Sequence, residues 1–337
     1  MVKQKLIEII KIIAFVLAFL ILLEGSSLMF FSDKQVAGFK NKLQYAYSFA
    51  YEPESSIQIA CVGNSDLYSG FTPLDLWKEF GYTSAVCASA RQSIQESLNL
   101  LKRLFDTQKP QIVIIETDML YDENPGKDNS MTRTDKLYDF FESMKPEYFE
   151  RDVENVFPLF KFHNIWKNFE NTAKKPTFNS HGYRYNNKTC KLKSREYMKT
   201  TDSAEPISKM NSKQMDKLIA FCRKNNAKVI LVEMPSVTSW NYERYNAVAE
   251  YASERNIPFL DLNLLYDDIG ISMTDCFRDR GNHLNYRGAK AVTEYIGNYI
   301  SQNYKLECLH SDNNYSFWND DYNNFINTLE SHKIKKK

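Results

Sequence analysis

Two short stretches of this chain carry the residue types of an acyl-transfer site. Ile57-Gln58-Ile59-Ala60-Cys61-Val62 reads as a buried strand, and Gly63-Asn64-Ser65-Asp66 breaks it, leaving a serine at the strand tip. Late in the chain, Asp279-Arg280-Gly281-Asn282-His283-Leu284-Asn285 sets an acid and a histidine on one loop before an amphipathic stretch. A serine hydroxyl is a weak nucleophile at neutral pH and needs a base within hydrogen-bond reach. A histidine is such a base, and a carboxylate behind it fixes its tautomer and stabilises the imidazolium. Ser65 is the candidate nucleophile, His283 the base and Asp279 the orienting acid, with Asp275 an alternative acid. A Cys276–His283 thiol pair ranks lower, because no strand end falls at Cys276. Each stretch also has a plainer reading: Gly-Asn-Ser-Asp is good turn chemistry, and a histidine can simply sit in a helix-capping loop.

These residues need elements to bring them together. Strands are expected at Ser56–Val62, Thr83–Cys87, Ile112–Glu116, Lys228–Glu233 and Ile257–Leu260, the last ending at Asp261. Between them lie helical patterns. Thr72-Pro73 opens one that stops at Gly81, and Ser93–Phe105 carries Ile94, Leu98, Leu101 and Leu104 on one stripe. Others run over Ser212–Asn225, with Ser212 as candidate cap, over Trp240–Arg255 and over Arg287–Asn303. Repeated strand–helix–strand units imply a flavodoxin-like, doubly wound parallel sheet of five strands, covered on both faces. Ligands of such sheets bind at the carboxyl ends of the strands. Ser65, Thr117-Asp118, Pro235-Ser236 and the His283 loop all follow strand ends. Residues 119–205 break the rhythm and read as an insertion, polar and aromatic, with Pro146, Pro158 and Pro176. His163 and Trp166, within it, suit packing better than an acceptor groove.

The N-terminus holds an unbroken apolar run, Ile12 to Leu23, which its neighbours extend to membrane-spanning length. Glu24-Gly25-Ser26-Ser27 is a poor cleavage site, so an uncleaved signal anchor is expected over a cleaved signal peptide. Lys3, Lys5 and Lys11 before the run are matched by Lys34, Lys40 and Lys42 after it, so charge does not orient it. The expected organisation is a membrane anchor (1–31), a connection (32–55), the α/β body (56–308) and a C-terminal tail (309–337).

Lys+Arg 43 against Asp+Glu 42 leaves a net charge of +1, no footprint for nucleic acid. The six cysteines include no Cys-x-x-Cys pair, so no metal or cofactor is expected. Cys61, Cys87 and Cys222 fall within predicted elements and read as small buried apolar residues.

The serine motif and the string His283-Leu284-Asn285 with Gly288 resemble the first and last blocks of the SGNH (GDSL-like) hydrolase superfamily. With an N-terminal anchor, the likeness is to membrane-tethered surface members of Gram-positive bacteria. Their relatives include the D-alanyl transfer protein of teichoic-acid modification and alginate-type O-acetylation proteins. The resemblance covers roughly residues 56–303 apart from the insertion, and departs from the family at four points. Asn64 stands where the family has aspartate. The acid is one residue further from the histidine, the family's position being Arg280. The second block, Cys87-Ala88-Ser89-Ala90-Arg91, lacks its oxyanion glycine, leaving Ala88, Ser89 and Ala90 as backbone donors. The third-block asparagine is replaced at Thr117-Asp118, where an ionised aspartate would repel an oxyanion. Arg91 either binds an anionic substrate or pairs with Asp66. The resemblance implies a serine esterase or O-acyl transferase acting outside the membrane on a cell-envelope polysaccharide or teichoic acid, beside a membrane-bound O-acyltransferase. A catalytically weak polymer- or partner-binding relative is the alternative reading. A secreted carbohydrate esterase freed by signal cleavage is another.

Overall fold

The computed structural model describes residues 2–30, 33–38, 43–122, 178–192 and 196–334. The chain divides into two compact units, Met1–Asn41 with Ser130–Lys174, and Lys42–Asn129 with Lys175–Lys337. Expectations for His163 and Trp166 lie outside the described residues.

The described part of the first unit is helical: α1 (Val2–Phe30) and the short α2 (Asp33–Gly38). Gln4–Leu23 of α1 has a mean hydropathy of 2.9 and is long and apolar enough to cross a membrane.

In the second unit, β1 (Ile59–Gly63), β2 (Ser84–Ala88), β3 (Ile112–Glu116), β4 (Lys228–Glu233) and β5 (Phe259–Asp261) form one parallel sheet in the order β2-β1-β3-β4-β5. Side chains alternate faces along a strand. Ile59, Cys61, Ile112, Ile114, Ile230 and Val232 share a core with Phe71, Leu76, Val292, Ile296 and Ile300. The alternate residues Ala60, Val62, Val113, Ile115 and Leu231 are just as buried. Strands apolar on both faces are the mark of a doubly wound sheet.

Between the strands lie α3 (Ser65–Gly70), α4 (Pro73–Phe80), α5 (Ile94–Thr107), α6 (Lys209–Lys224) and α7 (Tyr242–Glu254), then the short α8 (Tyr266–Ile269) and α9 (Tyr286–Asn303). Local chemistry sets their ends. Pro73 opens α4, and Gly81, at φ 68°, closes it in the left-handed region. Ser93 and Glu96 form a reciprocal capping box on α5. Helix α6 starts one turn earlier than expected: Ser208, not Ser212, caps it by accepting the Asn211 N–H.

Two stretches depart from the expected organisation. Residues 178–192, expected within the insertion, are woven into the body. The Val86 N–H donates to the His181 carbonyl at 2.8 Å, covering the open edge of β2, and Cys190 N–H donates to Phe277 O. The stretch expected as a tail, 309–337, holds α10 (Ser316–Ile334). Its Trp318, Phe325 and Leu329 bury against Leu74, Trp77 and Tyr183. Only three of its described residues are buried and the helix is rich in Asn and Asp, so its apolar stripe is faint in sequence, yet burial of a Trp and a Phe contributes several kcal/mol.

Candidate active site

The parallel sheet brings the carboxyl ends of β1, β2, β3 and β4 to one end, and Ser65, Ser89 and Thr117-Asp118 follow those of β1, β2 and β3. Ser65 is the first residue of α3, directly past β1, and is half-buried. Asn64 caps this helix, its side chain accepting the Asp66 N–H at 2.9 Å. Gly63 is required by close approach: a Cβ there would lie 2.6 Å from Glu116 Cβ.

The histidine sits on a two-stranded antiparallel ribbon, β6 (Phe277–Arg278) and β7 (His283–Leu284), in which Arg278 pairs with His283. Asp279 Oδ2 lies 3.1 Å from His283 Nδ1. The extra residue between acid and base is absorbed in the turn, where Asp279, Arg280 and Gly281 all adopt positive φ, at 52°, 61° and 94°. Glycine takes such a conformation freely, and the two other residues are strained in it. Asp275, the alternative acid, is turned to Arg287. Cys276 is buried, and its sulfur accepts the Ser272 N–H at 3.3 Å, so no thiol faces the histidine.

A carboxylate at Nδ1 selects the Nδ1–H tautomer and leaves the Nε2 lone pair to accept a proton. Burial, and then the Arg278 charge, lower the His283 pKa, with Asp279 opposing them. A neutral imidazole at pH 7 is the state a general base needs. Its Nε2 lies 3.6 Å from Asp66 Oδ1, and among the described residues Ser65 Oγ makes no hydrogen bond to it.

Ala88 and Ser89 are buried at the end of β2, where Ala88 pairs with Gly63, and Ala90 follows them, exposed. Arg91 is exposed at φ 53° and makes no ion pair with Asp66 among the described residues, so that expected pairing does not form. Thr117 donates its hydroxyl to Glu233 Oε2 at 2.6 Å. Asp118 accepts the Asn64 side-chain amide at 2.7 Å and lies 3.6 Å from Arg244 Nη1.

An acidic group at the ends of β1, β3 and β4 is not evident as a unit in the sequence. Oxygens of Asp66, Glu116 and Asp118 lie within 4.8 Å of one another. Glu116 Oε2 accepts the Asn64 backbone N–H at 2.8 Å, and Glu233 lies close enough to feel both Glu116 and Asp118. Burial, reinforced by mutual repulsion, raises Asp66, Glu116 and Glu233 well above the ordinary carboxylate range, and burial also raises Asp118. Asn64 divides its hydrogens over this group, its backbone N–H going to Glu116 and its side-chain amide to Asp118. Glu116 and Glu233 each close an apolar strand, and that repeated pattern was the available signal. Ser239 and Ser236 bridge the group to the histidine loop. Ser236 Oγ donates to Asn282 O at 2.9 Å and accepts the Ser239 hydroxyl at 2.6 Å, and Ser239 Oγ also lies 3.3 Å from Asp66 Oδ2.

No family model matches this chain, and no curated protein matches it. Among solved structures, it is similar to a GDSL-like lipase from Bacteroides thetaiotaomicron, with 13% identity, 78% of this chain and 98% of that one covered, and a TM-score of 0.39. It is also similar to the lipase/acylhydrolase from Enterococcus faecalis, with 11% identity, coverage of 74% and 99%, and a TM-score of 0.37. A psychrotrophic esterase from Pseudoalteromonas matches at 11% identity, with coverage of 73% and 97% and a TM-score of 0.36.

Proposed function

We propose that this chain is an SGNH-type serine esterase or O-acyl transferase, held to a membrane by α1, that acts on ester groups of a cell-envelope glycopolymer. The single observation behind the chemistry is the Asp279–His283 pair, 3.1 Å apart, on a loop that also approaches Asp66, the residue after Ser65. In this reading Ser65 Oγ attacks the ester carbonyl carbon while His283 Nε2 takes its proton. The tetrahedral intermediate collapses, His283 returns the proton to the departing alkoxide, and the acyl group stays on Ser65. A second hydroxyl, from water or from an acceptor polymer, then attacks the acyl-Ser65 with His283 again as base. Hydrolysis and transfer differ only in that acceptor, and exclusion of water favours transfer. The glycopolymer substrate, a polysaccharide or teichoic acid, and a membrane-bound O-acyltransferase partner come from the family resemblance.

One observation favours a second reading, a binding protein with little turnover: His283 Nε2 faces Asp66 rather than Ser65. Labelling of the full-length chain by a fluorophosphonate probe decides between them. Labelling that is lost in both Ser65→Ala and His283→Ala supports the acyl-enzyme. A folded wild-type chain that does not react refutes it and favours the binding role.

A further inference from the structure

Arg278 immediately precedes the candidate acid and uses its guanidinium in three directions. Nε donates to the Leu284 carbonyl at 3.2 Å, across the β6–β7 ribbon. Nη1 donates to Asp279 Oδ2, the same oxygen that faces His283 Nδ1. Nη2 donates to Ser69 Oγ at 2.7 Å. Ser69 is buried on α3, the helix that Ser65 opens. The Arg278 side chain is 11% exposed, so these bonds are made largely out of water, where charge-assisted bonds are strongest.

The turn that follows explains why such a clamp is needed. Asp279 and Arg280 hold positive φ without being glycine, and Asp279 is half-exposed. An exposed carboxylate on a strained turn has little to keep it against one imidazole nitrogen. We infer that Arg278 is a positioning residue: it fixes the Asp279 carboxylate against His283 and ties their loop to the helix that carries Ser65. A planar guanidinium suits this task because its donors are set in a rigid fork, whereas a lysine offers one mobile ammonium. The charged and titratable groups facing His283 are Asp279 and Arg278 on its own loop and Asp66 on α3. The inference takes its catalytic meaning from the reading of Ser65 and His283 given above, but its geometry can be measured without turnover.

The test uses the full-length chain labelled with ¹⁵N-histidine, compared with Arg278→Met, Arg278→Lys, Ser69→Ala and Asp279→Asn. The readout is the tautomer of the neutral His283 imidazole, assigned by comparison with His283→Gln. The wild type is expected to hold the Nδ1–H tautomer. Arg278→Met should shift the population toward Nε2–H, as Asp279→Asn does, because Asp279 is released. Arg278→Lys should shift it partly and Ser69→Ala least. If ester turnover is detected, kcat of Arg278→Met should fall roughly 100-fold with KM changed little, the signature of misplaced reacting groups. A wild-type tautomer in both Arg278 variants overturns the inference even if the wild type is an active esterase. A shifted tautomer in a chain whose Ser65 is never labelled upholds the clamp and overturns the proposed function. Should Arg278→Met fail to fold, Arg278→Lys and Ser69→Ala carry the same decision.

Discussion

His283 stands between two carboxyl groups: Asp279 Oδ2 lies 3.1 Å from Nδ1 and Asp66 Oδ1 lies 3.6 Å from Nε2. The two carboxyls differ in state. Asp279 is half-exposed, whereas Asp66 is buried and its pKa is raised, first by burial and then by Asp118. One carboxyl orients the ring, and the other occupies the direction from which a serine proton would come. That arrangement makes the pH dependence of any activity informative.

In the proposed mechanism the base form of His283 is the active one, and its pKa is lowered, chiefly by burial and by Arg278. Activity should therefore persist on the acid side below the ordinary histidine range of ~6.5, and be lost as pH falls through the lowered value. Asp279→Asn removes the group that opposes this lowering. Its acid limb should move lower still, with kcat reduced on the order of 10³–10⁴-fold through the wrong tautomer. A pH–rate profile on a chromogenic acetyl ester checks both, and an unmoved limb in Asp279→Asn would count against the pairing.

The buried acids predict a stability effect of opposite character. Glu116 has its folded pKa raised by burial and by Asp118 and Asp66. The neutral form is the one the fold tolerates, so its contribution is intact below the unfolded value of ~4.5 and is lost as pH rises toward the folded one. Glu116→Gln keeps an acceptor for the Asn64 N–H and removes that loss. The variant should match the wild type near pH 4.5 and exceed it by about 1 kcal/mol or more at pH 7.5, read from denaturant melts.

Gly63→Ala should act in the other direction. A methyl group there would stand 2.6 Å from Glu116 Cβ, which is fixed at the root of its side chain, and 2.9 Å from a buried Leu67 methyl. A loss of roughly 1–3 kcal/mol is expected from overpacking, together with reduced probe labelling of Ser65 as Asn64 is displaced. Wild-type labelling in a destabilised variant would separate the two effects.

Away from the site, His181 joins three separated stretches. Its Nδ1 lies 2.8 Å from Glu52 Oε1, its Nε2 3.5 Å from Asp321 Oδ2, and its ring stacks on Trp318 with centroids 3.6 Å apart. Burial lowers its pKa, but Glu52 and Asp321 outweigh burial and raise it to about 9. The contribution of this imidazolium is complete below the unfolded value of ~6.5 and disappears as pH rises through about 9. It amounts to at most ~3 kcal/mol. His181→Gln should lower the melting temperature at pH 6.5 and flatten its decline toward pH 9.5; equal slopes would refute the account.

The first helix gives a cellular prediction. Apolar side chains such as Phe15 and Leu22 are more than two-thirds exposed along α1. The mature chain should resist alkaline carbonate extraction from membranes and retain its N-terminal residues by mass spectrometry. A mature N-terminus beyond Glu24 would identify a cleaved signal instead.

Much of the scaffold was legible in the linear chain because its cues are local. Short, β-branched apolar runs bounded by turn residues, such as Ile112-Val113-Ile114-Ile115, read as buried strands. Pro73 with Gly81, and Ser93 with Glu96, mark helix ends through bonds made within one turn. Helix α10 was not legible because its three buried residues are spread over nineteen mostly polar positions, and their partners Leu74, Trp77, Tyr183 and Ala289 lie far away in the chain. At the site, Ser65 and His283 were identifiable from their motifs. Arg278 and Ser239 were not, since a lone arginine or serine beside a motif carries no periodic or capping signal.

The sequence by itself determined the alternation of strands and helices. With parallel strands, it thereby determined that Ser65, Thr117-Asp118 and Pro235-Ser236 gather at one end of the sheet, because every such strand points its carboxyl end the same way, whereas the antiparallel ribbon that carries His283 was placed by the tertiary structure. Only the tertiary structure decided which acid lies against the histidine: Asp279, in a turn of three positive φ angles, is 3.1 Å from Nδ1, while Asp275 pairs with Arg287. It alone brought Asp66, Glu116, Asp118 and Glu233 into one buried group. The physical reason is range. Periodicity and capping act within a few residues, but the protonation of a carboxyl and the aim of a loop depend on charges and burial supplied by distant parts of the chain.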